Sequence, residues 1–303
     1  MANARKVFCG VYPPTITSFD SDGNFDPGKQ KKVVRFLLDR KVHGFFIIGS
    51  YGSFPLMTAE ERKKVAEVIL EEVNGEVPVI VQVGSPYTKT ALELARHAEQ
   101  AGASAIASVM PFYYSSFAYK EDQIVNFFRK LVDSVSIPVF LYNNPRTTGY
   151  NVSPDLLSKL ADVGIKGIKD SSGNLTQMFE YIERVKPAHP DFVFFTGTAA
   201  LLLPTLQLGG QGGVAGTANA FPELVVDVYE SYMRGDLKAA AEKQLLVLRV
   251  RNLQGIEGFR PASCYAMLRM RGLNPGTLRE PWKEMSSGTY EKVKSELEKL
   301  GVL

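Results

Sequence analysis

The chain has 303 residues, 45% of them hydrophobic, enough to bury a large core in one or two domains. Its net charge of +3 is small and dispersed, and basic pairs such as Lys31-Lys32 and Lys63-Lys64 are too short to form a patch. Nucleic acid and acidic membrane surfaces are therefore not expected as partners.

From the N-terminus, residues 1–7 lack a long apolar stretch, so no signal peptide is expected. No apolar run approaches the length of a membrane span, and a cytoplasmic location is the expectation. Strand-like segments fall at residues 10–16, 44–50, 78–84, 103–110, 138–143, 165–170, 192–197 and 212–216. Several are continuous apolar runs, such as Phe45-Phe46-Ile47-Ile48, the pattern of a parallel sheet covered on both faces. Amphipathic helices lie between them. Thr58 opens one with a capping-box pattern completed by Glu61, and Ser153-Pro154 opens another with proline at the first helical position. Eight strands, each followed by a helix, predict a (β/α)8 TIM barrel. After Phe221 the pattern is purely helical, at residues 236–253, 260–271 and 289–300. The expected division is a barrel over 1–230 and a C-terminal helical domain over 231–303.

The chemistry centres on Lys169. Side chains alternate along a strand, so Ile165, Gly167 and Lys169 share one face, which is apolar or empty until it reaches the ammonium. Burial there lowers a lysine's pKa and exposes a neutral amine, the nucleophile that Schiff-base chemistry needs. A strand-end lysine snorkelling into water is the plainer alternative. Active groups in this fold cluster at the C-terminal strand ends. Three further chemically loaded segments occupy such ends: Gly49-Ser50-Tyr51-Gly52-Ser53, Pro111-Phe112-Tyr113-Tyr114 and Tyr142-Asn143-Asn144-Pro145. Pro138, Phe140 and Tyr142 alternate onto one face, so Tyr142 can enter the same lumen as Lys169. A phenol of pKa about 10 is a poor base alone and needs hydroxyl partners, which Ser50 and Tyr113 can supply. His43, His97 and His189 are scattered, read as structural, and give no metal-ligand spacing. Cys9 and Cys264 cannot make a disulfide framework.

Taken in order, Gly49-Ser50-x-Gly52, Pro111-Phe112-Tyr113, Tyr142-Asn143-x-Pro145, Gly167-Ile168-Lys169-Asp170 and Gly209-Gly210 resemble the dihydrodipicolinate synthase / N-acetylneuraminate lyase family of pyruvate-type class I aldolases. The resemblance runs over nearly all of the chain, from Gly10-Val11-Tyr12-Pro13-Pro14-Thr15 to Gly272-Leu273-x-Pro275. It implies that Lys169 forms an imine with pyruvate or another small 2-oxo acid, the second substrate being an aldehyde. Tyr142 would be the acid/base beside it. Ser50, with the backbone N–H of Tyr51, would hold the substrate carboxylate, and no separate cofactor is implied. Tyr113 matches a tyrosine that crosses a subunit interface in this family, so a homo-oligomer, a dimer of dimers, is implied.

Departures from the family pattern bear on the substrate. Tyr51 stands where many members carry a second small hydroxyl residue, and Ser53 replaces an acid. Tyr51 either narrows the pocket or packs outward. The synthase pattern places a carboxylate-binding arginine two residues after Pro145, where this chain has Thr147, with Arg146 one position early. A one-residue shift in a strand turns a side chain to the opposite face, although loop geometry can recover it. Gly197 precedes Thr198-Ala199, without the acidic residue of the sialic-acid lyases. The glycines of 209–216, which lead into Val214, read as a close-packed strand entering the lumen near the imine, with a phosphate-binding loop as the alternative. The expected activity is cleavage or formation of a 2-keto-3-deoxy or 4-hydroxy-2-oxo acid with pyruvate as one half. The alternatives are 4-hydroxy-tetrahydrodipicolinate synthase, condensing pyruvate with aspartate semialdehyde, and a catalytically silent barrel that binds a 2-oxo acid.

Overall fold

A computed structural model describes residues 8–114 and 119–303. In chain order its elements are β1 Gly10–Tyr12, α1 Pro27–Leu38, β2 Phe45–Ile47, α2 Ala59–Val73, β3 Val79–Gln82, α3 Thr88–Gln100, β4 Ala105–Val109 and α4 Glu121–Val132. There follow β5 Val139–Asn143, the short α5 Pro145–Thr148, α6 Pro154–Asp162, β6 Gly167–Asp170, α7 Leu175–Val185, β7 Val193–Thr196, α8 Leu202–Gln207 and β8 Gly212–Val214. The chain ends in α9 Pro222–Met233, α10 Leu237–Leu253, α11 Arg260–Met270 and α12 Ser287–Lys299. Every strand lies inside its predicted span. The strands are shorter because ladder pairing stops at the rims: β2, for example, ends where Ile48 takes a φ of +57°.

All eight strands are parallel, in the order β1-β8-β7-β6-β5-β4-β3-β2. The ring closes between β1 and β2 through a parallel bridge pairing Pro14 with Phe46, in which Thr15 N donates to the Phe46 carbonyl at 3.0 Å. This is the (β/α)8 barrel expected. The predicted capping box forms in full, Thr58 accepting from Glu61 N while Glu61 accepts from Thr58 N. Ser153 likewise caps α6 by accepting from Leu156 N.

The lumen is filled rather than open, as inward side chains of a small barrel must fill it. Tyr12 and Phe195 meet with ring centroids 4.9 Å apart, and Phe140 stacks on Phe195 at 6.3 Å. Gly167 makes room for Phe140, whose ring occupies the volume a β-carbon would take. Inside the ring of strands, therefore, lies an aromatic plug of buried rings.

The C-terminal helices pack back onto that rim. α10 lies along α9, and α11 meets the 3-10 turn Gly216–Asn219 that follows β8. The Tyr265 hydroxyl donates to the Thr17 carbonyl at 2.5 Å, and the Thr217 hydroxyl donates to Gln254 at 2.8 Å. Among the described residues no helix is long and apolar enough to cross a membrane. Each histidine pairs with one carboxylate: His43 with Glu230, His97 with Glu67 and His189 with Asp162.

Gly167→Ala is expected to destabilise the protein by roughly 1–3 kcal/mol, the usual cost of overpacking. Its β-carbon would meet the Phe140 ring and sit 2.8 Å from the Val193 carbonyl oxygen, a backbone atom that cannot swing aside. Denaturant titration checks this, and an unchanged midpoint would contradict it.

Candidate active site

Lys169 sits at the C-terminal end of β6, in register with Tyr142 of β5 and Phe195 of β7. Neighbours in register on a parallel sheet point the same way, so the three side chains share the lumen. The lysine is 3% exposed, and its Nζ lies 3.8 Å from the Phe46 ring centroid and 3.7 Å from that of Tyr142. It does not snorkel. Among the described residues no carboxylate pairs with it. Burial alone therefore holds its pKa well below that of a free lysine. Gly49 leaves room for the Phe46 ring that walls the amine, since a β-carbon at that position would lie 3.1 Å from the ring.

The Tyr142 phenol is the second buried group. Ser50 Oγ lies 3.3 Å from it, the Asn144 amide donates to it at 3.1 Å, and Ser171 also hydrogen-bonds it. Asn144 reaches Ser50 as well, at 3.4 Å. Burial pushes the phenol's pKa above the ordinary tyrosine value, and these three hydrogen bonds partly offset the rise. Below the rim, Asn143 donates to the Asp170 carboxylate at 2.7 Å and Ser172 donates to it at 2.6 Å. This ties the ends of β5 and β6 together next to the two reactive groups. Ile48, a β-branched residue at φ +57°, is a genuine backbone outlier directly before Gly49-Ser50. Strain of this kind concentrates at functional turns.

These groups line a cavity of about 240 Å³. Of the residues singled out in the sequence, Ser50, Tyr51, Tyr142, Arg146, Lys169, Gly197 and Val214 all face it. Tyr51 packs inward, its phenol filling the space beside Gly216, and burial raises its pKa. The strand-face reasoning about Arg146 does not apply, because Pro145–Thr148 is a helical turn. Arg146 thereby reaches the cavity while Thr147 faces a separate apolar pocket lined by Phe112, Phe259 and Trp282. Thr147 is thus not brought to the cavity that holds the lysine. Tyr113 is not brought there either: it is 75% exposed, at φ +78°, with its ring against Tyr114. Within the chain, Ser171 supplies the second hydroxyl expected of Tyr113. Glycines 209–216 lead into the close-packed strand β8. Gly212 abuts the backbone of Gly10, so its bareness serves the β8–β1 approach, while the cavity is met by Val214 and Gly216.

The sequence reading missed Asn144, Ser171, Thr217, Arg251, Gln254 and Arg260, all of which also line the cavity. Asn144 and Ser171 each adjoin a residue already chosen, and that adjacency was the available signal. The last three come from the C-terminal helices and carry no local motif.

A filled parallel barrel with a desolvated lysine amine beside a buried phenol at the strand ends defines a Schiff-base class of barrel enzyme. Residues 7–300 match the model of the dihydrodipicolinate synthetase family, and the chain belongs to that family. It is 36% identical, over 97% of both chains, to a 4-hydroxy-tetrahydrodipicolinate synthase of Methanopyrus kandleri. It is 37% identical to YjhH of Escherichia coli K12, a probable 2-dehydro-3-deoxy-D-pentonate aldolase, over 80% of this chain and 81% of that one. The crystal structure of Escherichia coli K12 YagE in complex with pyruvate superposes with a TM-score of 0.94 at 30% identity, covering 98% of this chain and 100% of that one. The protein is accordingly a lyase of the pyruvate-type class I aldolase kind.

Lys169→Met is expected to stabilise the fold at neutral pH. The folded state lowers the lysine's pKa, so the unfolded chain binds more protons wherever the pH lies between the folded value and the ordinary 10.5. Wild-type stability must therefore rise with pH across that window, and its deficit relative to the Met variant must close as pH approaches 10.5. Paired denaturation curves at several pH values test this; a destabilised variant at pH 7 would contradict a desolvated amine.

Proposed function

We propose that this enzyme cleaves or forms a 2-keto-3-deoxy or 4-hydroxy-2-oxo acid, with pyruvate as one product or substrate, through a Schiff base on Lys169. The observation that carries the reading is the buried Lys169 amine, whose pKa desolvation holds well below the ordinary lysine value and whose Nζ lies 3.7 Å from the Tyr142 ring centroid. The neutral Nζ attacks the keto carbon, and Tyr142 gives its proton to the departing hydroxyl, so that water leaves and a protonated imine forms. The new cation favours the phenolate next to it, offsetting the effect of burial on Tyr142. That phenolate takes the proton of the C4 hydroxyl. The C3–C4 bond breaks, its electrons pass into the imine to give an enamine, and the aldehyde departs. The phenol gives that proton to C3, water attacks the regenerated imine carbon, and the phenolate takes up the proton set free as pyruvate leaves and the neutral amine is restored. Ser50 and the Tyr51 N–H hold the 2-oxo acid carboxylate, with Gly197 and Val214 as walls. Ser50, Asn144 and Ser171 hold the phenol in place. Two Escherichia coli relatives, one named for a 2-dehydro-3-deoxy acid and the other solved with pyruvate, support this choice of substrate.

A second reading is 4-hydroxy-tetrahydrodipicolinate synthase. It is favoured by Arg146 at the cavity wall, where a guanidinium suits the carboxylate of aspartate semialdehyde, and by the Methanopyrus relative. Turnover of pyruvate with aspartate semialdehyde faster than pyruvate release from 2-keto-3-deoxy acids would favour it.

We also propose a cytoplasmic homotetramer, a dimer of dimers, in which Tyr113 serves a neighbouring subunit. The exposure of the adjoining Tyr113 and Tyr114 rings supports this. Residues 231–303 would form the helical unit that closes the cavity, continuous with the barrel through α9, which runs across the boundary and packs along α10.

Borohydride added with pyruvate is expected to leave a stable adduct on Lys169 and none in Lys169→Ala. An unmodified protein, or attachment at Lys166, would overturn the proposal. Tyr142→Phe should still trap pyruvate but turn over roughly 10² to 10⁴ times more slowly. Undiminished turnover would remove Tyr142 from the proton path.

A further inference from the structure

The cavity is asymmetric. Lys169 and Tyr142 line it from the strand ends, and two guanidiniums, Arg251 at the end of α10 and Arg260 at the start of α11, line it from the C-terminal helices. Several other arginines sit on carboxylates: Arg35 on Glu72 and Glu76, Arg184 on Asp155, Arg269 on Glu284, Arg271 on Glu223 and Arg279 on Glu61. Neither Arg251 nor Arg260 has such a partner among the described residues. Arg260 Nε is buried and makes no hydrogen bond. The two guanidiniums lie close enough that, with desolvation as the larger cause, the charge of Arg260 lowers the pKa of Arg251. Two like charges, half withdrawn from water and unpaired, are costly to hold together unless something negative arrives between them.

The surroundings leave space for such a group. Gly255 leaves Arg260 its place, since a β-carbon there would lie 3.0 Å from a guanidinium nitrogen. Gly216 does the same for the Tyr51 phenol, which faces both arginines. Gln254 and Thr217, hydrogen-bonded to each other at 2.8 Å, complete the wall. Arginine donates two parallel hydrogen bonds to a carboxylate or a phosphate, and a pair of arginines matches a doubly charged or doubly accepting group.

We propose that Arg251 and Arg260, with the Tyr51 hydroxyl, form an anion subsite that binds an ionised group on the substrate terminus farthest from the imine carbon. This rests on the Schiff-base reading of Lys169 and narrows its substrate to 2-oxo acids bearing a negative charge at both ends, the distal one a carboxylate or a phosphate ester. The arginines of the C-terminal helices then decide which aldehyde half is accepted, while the barrel handles pyruvate.

Three 4-hydroxy-2-oxo acids of equal length, ending in a hydroxymethyl group, a carboxylate or a phosphate ester, separate the possibilities. Pyruvate release is expected to show kcat/KM higher by at least about tenfold for one of the two anionic substrates than for the neutral one, since a site built around a polar partner rejects the analogue that lacks it. The preferred anion identifies the source. Arg251→Gln and Arg260→Gln should each lose at least about tenfold on that substrate, mainly through KM, and that loss should exceed the loss on the neutral one by at least about fivefold. Arg260→Lys should recover part of the loss. Borohydride trapping of pyruvate alone should saturate at the same concentration in every variant, which also shows that each variant folds. Normal trapping in the wild type with equal rates on neutral and anionic substrates would overturn this inference and leave the Schiff base intact. Weakened pyruvate trapping in the arginine variants would overturn it too, by assigning the arginines to the 2-oxo carboxylate. Failure of the wild type to trap pyruvate would remove the underlying reading and this inference with it.

Discussion

Moving an ammonium from water into a lumen walled by aromatic rings is costly, and the barrel imposes that cost on Lys169, shifting the amine toward its neutral form. The closed ring of strands leaves no route by which the side chain could reach solvent from below. The Tyr12, Phe140 and Phe195 plug fills the lumen with buried rings. Phe46 and Tyr142 offer ring faces instead of a carboxylate. Had an acid stood within reach, the pair would have remained charged, and the amine would have been protonated at neutral pH. The absence of an ion pair at Lys169 among the described residues is thus as consequential as any contact present.

The same low polarity sets the state of Tyr142. Burial keeps the free enzyme's phenol protonated, and Ser50, Asn144 and Ser171 fix its hydroxyl in one place. In the proposed reaction the two groups change charge together: the nitrogen becomes cationic as the phenol becomes anionic, so the charge that develops on each is offset by the other. Strain at Ile48 and the bare Gly49 belong to the same construction, since they bring Ser50 over the lumen while leaving room for the Phe46 ring.

Division of labour follows from topology. Strand ends supply a nucleophile and a proton carrier whose positions are fixed by ladder register. The C-terminal helices supply side chains that approach the cavity from outside the ring, through α11 packing on the Gly216–Asn219 turn and the Thr217–Gln254 hydrogen bond. Substitutions in those helices can alter the far wall of the cavity without disturbing the β5–β6 register.

Much of this was legible in the residues themselves. Continuous apolar runs alternating with capped amphipathic helices define a parallel barrel, because local hydrogen bonding and burial repeat in each βα unit. The family motifs, being short and continuous, mark Lys169, Tyr142 and Ser50. Tertiary structure decided what depends on distant segments. Arg146 faces the cavity only because the four residues after Asn144 coil into a helical turn. Tyr51 turns inward only because Gly216, 165 positions away, leaves it room. Arg251 and Arg260 look like the solvated charges of ordinary helices until the tail folds back over the barrel mouth. Chain-local chemistry determines which elements form and which groups can react; the company those groups keep is settled by packing between residues that the sequence separates widely.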